Sequence, residues 1–375
     1  MLIKKLFFVC LVSVFCVFCS LKAACIDISA ECAVIMNAET KEILYNKNAF
    51  KRHSMASTTK IMTGILAVES GKMNQTVNVQ AQALTEGTSI GLKAGDILTL
   101  ESLVYGMMLE SGNDAANVCA LHLGKTFGSF ARSMNDKAKE IGMNDTNFVT
   151  ASGLDDEEHY STAYDMALLG AYSIKNPVFR EICSTQVRKI DFIKPDVTVT
   201  LSNHNKLLGS CEGVFGIKTG FTKKSGRCLV SACTRDGATL VCVTLNAGDD
   251  WNDHRKLYDL SFAELNKTTL KYSGETELSV YGGKAEKVRI YSDDYTYHFT
   301  DDNTITQKII MPKIIYAPVN KNEIIGRICY YSGKKLIKTV HIYTKDAVVS
   351  AEETYQHKFS LKNFIKEIFS KRKDR

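Results

Sequence analysis

The chain has 375 residues, of which 45% are apolar, and this is enough to bury one large hydrophobic core and a smaller second one. Such a composition excludes a disordered protein. The formal net charge is +6, but the two ends of the chain carry more positive charge than that, so the body between them is slightly acidic. A basic domain surface that would bind nucleic acid is therefore not expected.

Residues 1–24 have the pattern of a secretory signal peptide. Two lysines precede an apolar run over residues 6–19, and a pair of alanines follows it. The run is too short for a comfortable membrane span. Acylation of Cys25, as in a lipoprotein, is an alternative that Lys22 disfavours. We therefore expect an exported protein.

The twelve cysteines of this chain do not predict a disulfide framework. Three of them lie in the signal peptide, and the remainder contains no C-x-x-C pair. A hairpin turn at Asp236 and Gly237 places Cys242 opposite Ser231 rather than opposite Cys233. We therefore expect mostly free thiols that pack as small apolar side chains.

Strands flank a helical middle in residues 25–268, and this order predicts an α/β domain with a helical subdomain. The segment "AVIMNAETKEILY" predicts two strands joined by a turn. Apolar residues at helical spacing then predict helices over residues 57–69, 100–110, 114–124, 130–142 and 163–174. Three apolar runs separated by glycine turns predict strands over residues 213–218, 227–234 and 238–245, before a helix over 254–266.

Residues 272–350 consist of short strand patterns with polar turns, which predict a small all-β domain. The final segment, residues 356–375, is different again. Five large apolar residues share one stripe of a helical wheel there, with lysines beside it. This pattern predicts an amphipathic helix that lies in a membrane surface. A disordered basic terminus is the alternative.

The tetrapeptide S-x-x-K occurs three times, but only Ser57 and Lys60 open an apolar helix. Ser332 lies in a hairpin turn and Ser370 in the basic tail. Residues three apart share a helix face, so Lys60 can reach the Ser57 hydroxyl. The simpler interpretation is that Ser57 only caps the helix.

Two further motifs favour the catalytic interpretation. Ser111 and Asn113 lie in a break between helices, in "ESGNDAAN", where Asn113 or Asp114 could also act as a helix cap. Lys218 begins a K-T-G triplet at the end of a strand, where it could also be an exposed edge lysine. The three motifs together are typical of penicillin-recognising serine enzymes.

The chemistry of acyl transfer explains these residue types. A serine hydroxyl needs a base, and a lysine amine becomes one only when burial or another cation lowers its pKa. Lys60 on an apolar helix, with Lys218 nearby, would meet both conditions and activate Ser57. Ser111 could then carry the proton to the departing amine.

The remaining residues of the motifs would hold the substrate. Asn113 could bind the substrate backbone, and Lys218 with Thr219 could hold a carboxylate. Gly220 would let the strand approach the substrate closely. The backbone N–H groups of Ser57 and Phe221 would stabilise the oxyanion.

From about Ile26 to Val349, the sequence resembles the low-molecular-mass penicillin-binding proteins that act as D-alanyl-D-alanine carboxypeptidases. The resemblance rests on the segments "MASTTKIMTG", "LESGNDAAN", "NFVTASGLDDEEHYSTAYDMALL", "GIKTGFT" and the weaker "APVNKNEIIGRICYYSGKKLIKTVHI". It implies a transpeptidase-like, β-lactamase-like α/β domain, a β-rich domain and a C-terminal membrane anchor. It also implies Ser57 as the acyl-enzyme nucleophile, Lys60 as base, Ser111 as proton relay and Lys218 as a carboxylate contact. Some members have histidine where this chain has Phe221.

The resemblance further implies peptidoglycan stem peptides as substrates, β-lactams as inhibitors, and a location at the outer face of the cytoplasmic membrane or in the cell wall. A serine β-lactamase is one alternative, but the interval before K-T-G offers only Glu157 and Glu158 and no asparagine four residues on. A non-catalytic penicillin sensor or cell-wall binding protein is another, and the intact Ser57 and Lys60 disfavour it.

Neither a metal nor a cofactor is expected. The segment "DDWNDHR", residues 249–255, lacks the glycine and spacing of a calcium loop. We interpret Asp250 or Asn252 as the cap of the next helix. The histidines are scattered without an H-E-x-x-H motif, which makes a zinc peptidase improbable.

Overall fold

The computed structural model describes residues 26–300 and 304–351. The predicted signal peptide and the predicted anchor helix lie outside the described residues. Contacts divide the described residues into two compact units, and the boundary in the sequence lies between Leu265 and Asn266. The predicted order of an α/β unit followed by an all-β unit is confirmed.

The first unit contains three groups of elements. The first group is β1 (Cys32–Asn37), β2 (Ile43–Lys47), α1 (Lys60–Glu69), β3 (Thr76–Asn78) and β4 (Ile97–Thr99). The helical middle is α2 (Leu100–Leu109), α3 (Asn113–Gly124), α4 (Phe127–Ile141), α5 (Ala163–Ser173) and α6 (Pro177–Ser184). The last group is β5 (Val187–Lys194), β6 (Val197–Ser202), β7 (Val214–Thr222), β8 (Gly226–Arg235), β9 (Ala238–Ala247) and α7 (Asp250–Glu264).

The central sheet of this unit is antiparallel, with strand order β2-β1-β9-β8-β7. All six residues of β1 are buried, because both faces of the sheet are covered. Val34 packs into a core that includes residues of α1 and α5, whereas Ile35 packs into a second core with Leu257 and Tyr258 of α7. The alternation of strand side chains therefore serves two cores, and β7 is left at the edge.

The pairing of β8 with β9 confirms the predicted hairpin register, in which Cys242 lies opposite Ser231. The eight cysteines within residues 26–300 and 304–351 are all unbridged. Six of them lie in the first unit's sheet or helices and are buried there. Burial raises the pKa of Cys228 to about 11, so this thiol stays protonated and behaves as a small apolar side chain.

A second sheet and a short helix were not predicted from the sequence. Strands β3, β4, β5 and β6 form a four-stranded sheet in that order, and α6 precedes β5. Only Ile190 and Phe192 are buried in β5, and in its sequence, "VRKIDFIK", apolar and charged residues alternate regularly only from Ile190 to Phe192, which is too short a pattern to predict a strand. Helix α7 also begins four residues earlier than predicted.

The second unit is built from strands in the part that the structure describes. These are β10 (Asn266–Leu270), β11 (Glu277–Tyr281), β12 (Lys287–Tyr291), β13 (Tyr295–Phe299), β14 (Ile305–Ile310), β15 (Ile314–Tyr316), β16 (Ile324–Ser332) and β17 (Lys335–Thr344). Six of them form a sheet in the order β14-β16-β17-β12-β11-β15, and β10 pairs with β13. No helix among the described residues is long and apolar enough to cross a membrane.

Candidate active site

Ser57 lies in a tight turn rather than in a regular helix. Residues Ala56–Thr59 form a 3-10 turn, and α1 begins only at Lys60. No side chain caps either element, so the interpretation of Ser57 as a simple helix cap is wrong. Ala56 has a φ of 46°, a left-handed conformation that costs a non-glycine residue about 1–3 kcal/mol. The turn is thus held in a strained shape directly before the candidate nucleophile.

The amine of Lys60 is fully buried and has three polar neighbours. Nζ lies 2.8 Å from Ser57 Oγ, 2.7 Å from Asn113 Oδ1 and 2.6 Å from the carbonyl oxygen of Ser152. Asn113 Nδ2 donates to the carbonyl of Glu86, at 3.1 Å, and this bond fixes Oδ1 toward the amine. Two of the three neighbours of Nζ can therefore only accept hydrogen bonds.

This arrangement suits a neutral amine. A neutral lysine has two N–H donors and one lone pair, and the two donors match Asn113 Oδ1 and the Ser152 carbonyl. The lone pair then faces Ser57 Oγ, the one neighbour that can donate a proton. Burial, and next the positive charge of Lys218, hold the pKa of Lys60 well below its usual range, against the opposing charge of Asp114.

Lys218 is also buried, with only 2% of its surface exposed. Its Nζ donates to the carbonyl oxygen of Thr219, at 3.0 Å. Burial lowers the pKa of Lys218 to about 7, and the charge of Glu110 opposes that shift. The side chain is therefore not the exposed edge lysine of the alternative interpretation, although β7 is indeed an edge strand.

Ser111 lies between α2 and α3, on the same cleft as Ser57. Its φ of 63° places Ser111, like Ala56, in the left-handed region although neither residue is glycine. Helix α3 begins at Asn113 without a side-chain cap, so neither Asn113 nor Asp114 has the alternative role of a cap. Asp114 instead accepts hydrogen bonds from Ser89 Oγ and from backbone N–H groups of residues 90 and 92.

Gly220 lies where β7 comes closest to the Ser57 turn. A Cβ atom at Gly220 would be 2.9 Å from the backbone nitrogen of Ser57 and 3.1 Å from that of Thr58. The close approach that requires glycine is therefore to the nucleophile's own turn, and not only to the substrate as predicted. The side chain of the next residue, Phe221, is 66% exposed.

Five of the eight predicted site residues, namely Ser57, Ser111, Thr219, Gly220 and Phe221, line one cleft together with residues that the sequence did not identify. Lys60, Asn113 and Lys218 are buried and do not line it. The cleft has a volume of about 260 Å³. Its lining comprises Ser57, Thr88, Ser111, His204, Thr219, Gly220, Phe221, Arg227, Asp250 and Trp251. His204 is held there by Glu110, whose carboxylate lies 3.0 Å from Nε2. No local motif could have identified His204 or Arg227, because only the folded chain brings them to the cleft.

His159 connects the Ser57 turn to the loop that carries Ser152. The backbone N–H of Val149 donates to Nδ1, at 2.9 Å, so Nε2 carries the proton and donates to Thr59 Oγ1, at 2.8 Å. Burial lowers the pKa of His159 to about 4, which keeps the ring neutral. The loop that holds the base is thus fixed to the turn that holds the nucleophile.

The structure tests two sequence-based interpretations of acidic residues: a glutamate that could activate water, as in a β-lactamase, and the cap of α7. Glu157 and Glu158 are exposed and do not line the cleft. Asp249, rather than Asp250 or Asn252, caps α7, since its side chain accepts from the backbone N–H of Asn252; the predicted cap was wrong by one residue. The described residues contain no group of three or more potential metal ligands.

Comparison with known proteins identifies the family of both units. Residues 20–249 match the family model of the D-alanyl-D-alanine carboxypeptidases, and residues 266–350 match the model of the C-terminal domain of penicillin-binding protein 5. The D-alanyl-D-alanine carboxypeptidase DacF of Bacillus subtilis is 29% identical over 339 residues, which are 86% of this chain and 86% of that protein. The corresponding DacC of Escherichia coli is 28% identical over 83% of this chain and 82% of its own length.

Solved structures with a similar fold come from the same group of enzymes. Penicillin-binding protein 5 of Haemophilus influenzae superposes with a TM-score of 0.64 and 27% identity, over 86% of this chain and 98% of the other. The Streptomyces K15 DD-transpeptidase gives a TM-score of 0.61 and 31% identity, over 63% of this chain and 98% of the other. The family model covers more than half of this chain and includes the Ser57, Ser111 and Lys218 motifs. The chain therefore belongs to the D-alanyl-D-alanine carboxypeptidase family and is a serine-type D-Ala-D-Ala carboxypeptidase.

Proposed function

We propose that Ser57 forms an acyl-enzyme with peptidoglycan stem peptides that end in D-Ala-D-Ala. The single observation that carries this proposal is the 2.8 Å contact of Ser57 Oγ with an amine whose two other neighbours are acceptors only. Lys60 takes the hydroxyl proton while Oγ bonds to the penultimate carbonyl carbon. The C–N bond then breaks, and the terminal D-alanine leaves as an amine after it gains a proton through Ser111.

A water molecule completes the reaction by attacking the Ser57 ester, with the same lysine as base. The N–H groups of Ser57 and Phe221 hold the oxyanion in both steps, an interaction worth roughly 3–4 kcal/mol per donor in serine hydrolases. Lys218 and Thr219 hold the terminal carboxylate, and Asn113 orients the substrate backbone. An amine in place of water would give transpeptidation through the same intermediate.

Penicillins acylate the same serine in this proposal, because their carboxylate and strained amide take the places of the D-Ala-D-Ala terminus. The penicilloyl-enzyme is long-lived, because the opened ring stays attached and blocks the approach of water that the departure of D-alanine would otherwise allow. Glu157 and Glu158, both exposed and away from the cleft, cannot activate a water from another side. Slow release distinguishes this enzyme from a β-lactamase. Intact nucleophile and base likewise separate it from a penicillin sensor without catalysis.

The location of the protein is also a proposal. The N-terminal segment directs export, and residues 356–375 hold the enzyme at the outer face of the cytoplasmic membrane as an interfacial helix. The apolar stripe and the lysines of that segment support this arrangement. The active site would then face newly made cell wall.

Covalent labelling tests the catalytic assignment. A fluorescent penicillin should attach to the peptide that contains Ser57, and Ser57→Ala should abolish labelling while circular dichroism shows a folded protein. Ser332→Ala is the matched control, because Ser332 begins another S-x-x-K sequence in the second unit and should leave labelling unchanged. Labelling that survives Ser57→Ala, or maps to another peptide, would overturn the assignment.

A further inference from the structure

The direction in which a substrate peptide lies in the cleft follows from the roles of the two ends of the K-T-G segment. Lys218 and Thr219 supply the carboxylate contact, and Gly220 packs on the Ser57 turn. A bound D-Ala-D-Ala terminus therefore runs along β7 from Thr219 toward Phe221, since its carboxylate precedes its scissile carbonyl in that direction. The peptide residue before D-Ala-D-Ala then lies beyond Ser57, at the Phe221 end of the cleft.

That end of the cleft has its own set of side chains. Arg227 of β8 pairs directly with Phe221 of β7, so the two side chains share a face of the sheet. Trp251 from the start of α7 lines the same wall, and the Arg227 guanidinium lies 5.7 Å from the centre of its ring. The wall thus combines two aromatic rings with one cation.

The positive charge of this wall is exposed to solvent, whereas the negative charge paired with it is buried. Arg227 Nε donates to Asp250 Oδ1, at 2.9 Å, and the Asp250 side chain is only 4% exposed, whereas that of Arg227 is 44% exposed. The buried Asp250 carboxylate therefore fixes the guanidinium through its Nε atom, on the side that faces the protein interior. Within residues 26–300 and 304–351, no acceptor is bonded to its two terminal nitrogens. Lys223 and Lys224, both exposed in the turn between the two strands, add further positive charge at this end.

From this geometry we propose that Arg227, with Trp251 and Phe221, forms a subsite for an anionic side chain on the residue that precedes D-Ala-D-Ala. A carboxylate is the group that best fits the terminal nitrogens of an anchored guanidinium, because it can accept two parallel N–H bonds. The aromatic rings cover the aliphatic part of the same side chain. The inference rests on the proposed orientation of substrate in the acyl-enzyme reaction, and it assigns the enzyme's preference among stem peptides to Arg227.

Matched peptides test the subsite. They have the form acetyl-X-D-Ala-D-Ala, where X is 2-aminoadipate, its side-chain amide, or lysine, so that three side chains of similar length carry negative, zero or positive charge. We expect kcat/KM for D-alanine release to be roughly tenfold higher for the carboxylate than for the amide, and lower still for lysine. In Arg227→Gln the ratio of carboxylate to amide should fall to about 1.

Two further variants keep the test decisive. Arg227→Gln leaves Asp250 buried without its partner, so the double variant Arg227→Gln/Asp250→Asn provides a neutral pair if the single variant is unstable, and it should lose the same discrimination. Arg255→Gln is the control, because Arg255 is a half-buried arginine of α7 that donates to Ser210 Oγ and does not line the cleft. It should retain the tenfold ratio.

The outcomes separate this inference from the proposed function. Equal turnover of all three peptides by the unaltered enzyme would overturn the subsite and leave the carboxypeptidase mechanism intact. A ratio that survives in both Arg227 variants would also overturn it, since the preference would then arise elsewhere. No D-alanine release from any peptide would overturn the mechanism and the subsite together.

Discussion

Gly220→Ala should impair acylation without unfolding the enzyme. The new Cβ would be 2.9 Å from the Ser57 backbone nitrogen and 3.1 Å from both Thr58 N and Ala56 Cβ. Comfortable separations are about 3.5–4.0 Å, so β7 and the Ser57 turn must separate by ~0.6 Å. Because the turn and the next residue of β7 supply the two proposed oxyanion donors, this displacement would misalign the donors and the nucleophile together.

The expected loss of activity follows from that displacement. A misplacement of ~1 Å in a catalytic site can reduce the rate about 100-fold, so we expect acylation to slow by ~10–100-fold. Overpacking should lower the free energy of unfolding by about 1–3 kcal/mol. Stopped-flow labelling with a fluorescent penicillin measures the acylation rate, and urea unfolding measures the stability.

Gly128→Ala is the matched control for this substitution. Gly128 lies within α4, and a Cβ there would meet nothing within 4 Å. Alanine should therefore leave acylation unchanged and stabilise the helix by up to about 1 kcal/mol. If Gly220→Ala acylates as fast as Gly128→Ala, the close approach of β7 to the nucleophile's turn has no role in catalysis and the reasoning fails.

Three other predictions concern charge, thiols and the tail. Lys218→Ala should reduce both peptide turnover and penicillin acylation. Because the pKa of Lys218 is about 7, kcat/KM of the unaltered enzyme should fall as the pH rises above 7, and the variant should lack this fall. Lys189→Ala, at an exposed lysine, is the control, and a Lys218→Ala variant with the pH profile of the unaltered enzyme would show that Lys218 does not bind the carboxylate. Thiol titration of the unfolded, unreduced mature protein should find most cysteines reactive, and a count near zero would contradict this. Removal of residues 356–375 should release the enzyme from anionic vesicles while its activity on soluble peptides persists; co-sedimentation of the truncated protein at moderate salt would disprove the anchor.

The three motifs show how far local sequence could predict the site. Each motif had a plausible structural role of its own, and all three roles are wrong: Ser57 caps no helix, Asn113 begins one without capping it, and Lys218 is buried rather than exposed. Their joint occurrence in one chain, and not any single motif, indicated acyl transfer. The resemblance of the longer segments to a known family then specified the reaction.

Prediction was weakest where a role depends on the backbone or on distant partners. Ser152 contributes a carbonyl oxygen to Lys60, and any residue type carries that group, so no pattern could identify it. Asp250 was interpreted as a helix cap, but its carboxylate pairs with Arg227 from another strand. The sheet that includes β5 was missed because its strand has only two buried residues.

By itself, the sequence determined the class of the two units, the register of the β8–β9 hairpin, and the residue types of the reaction. These follow from short-range periodicity and from side-chain chemistry, both of which are local properties of the chain. Tertiary structure alone decided which groups meet. Lys60 lies 53 positions from Asn113 and 92 from Ser152, and only when these distant groups enclose its amine does burial lower the pKa enough to make it a base.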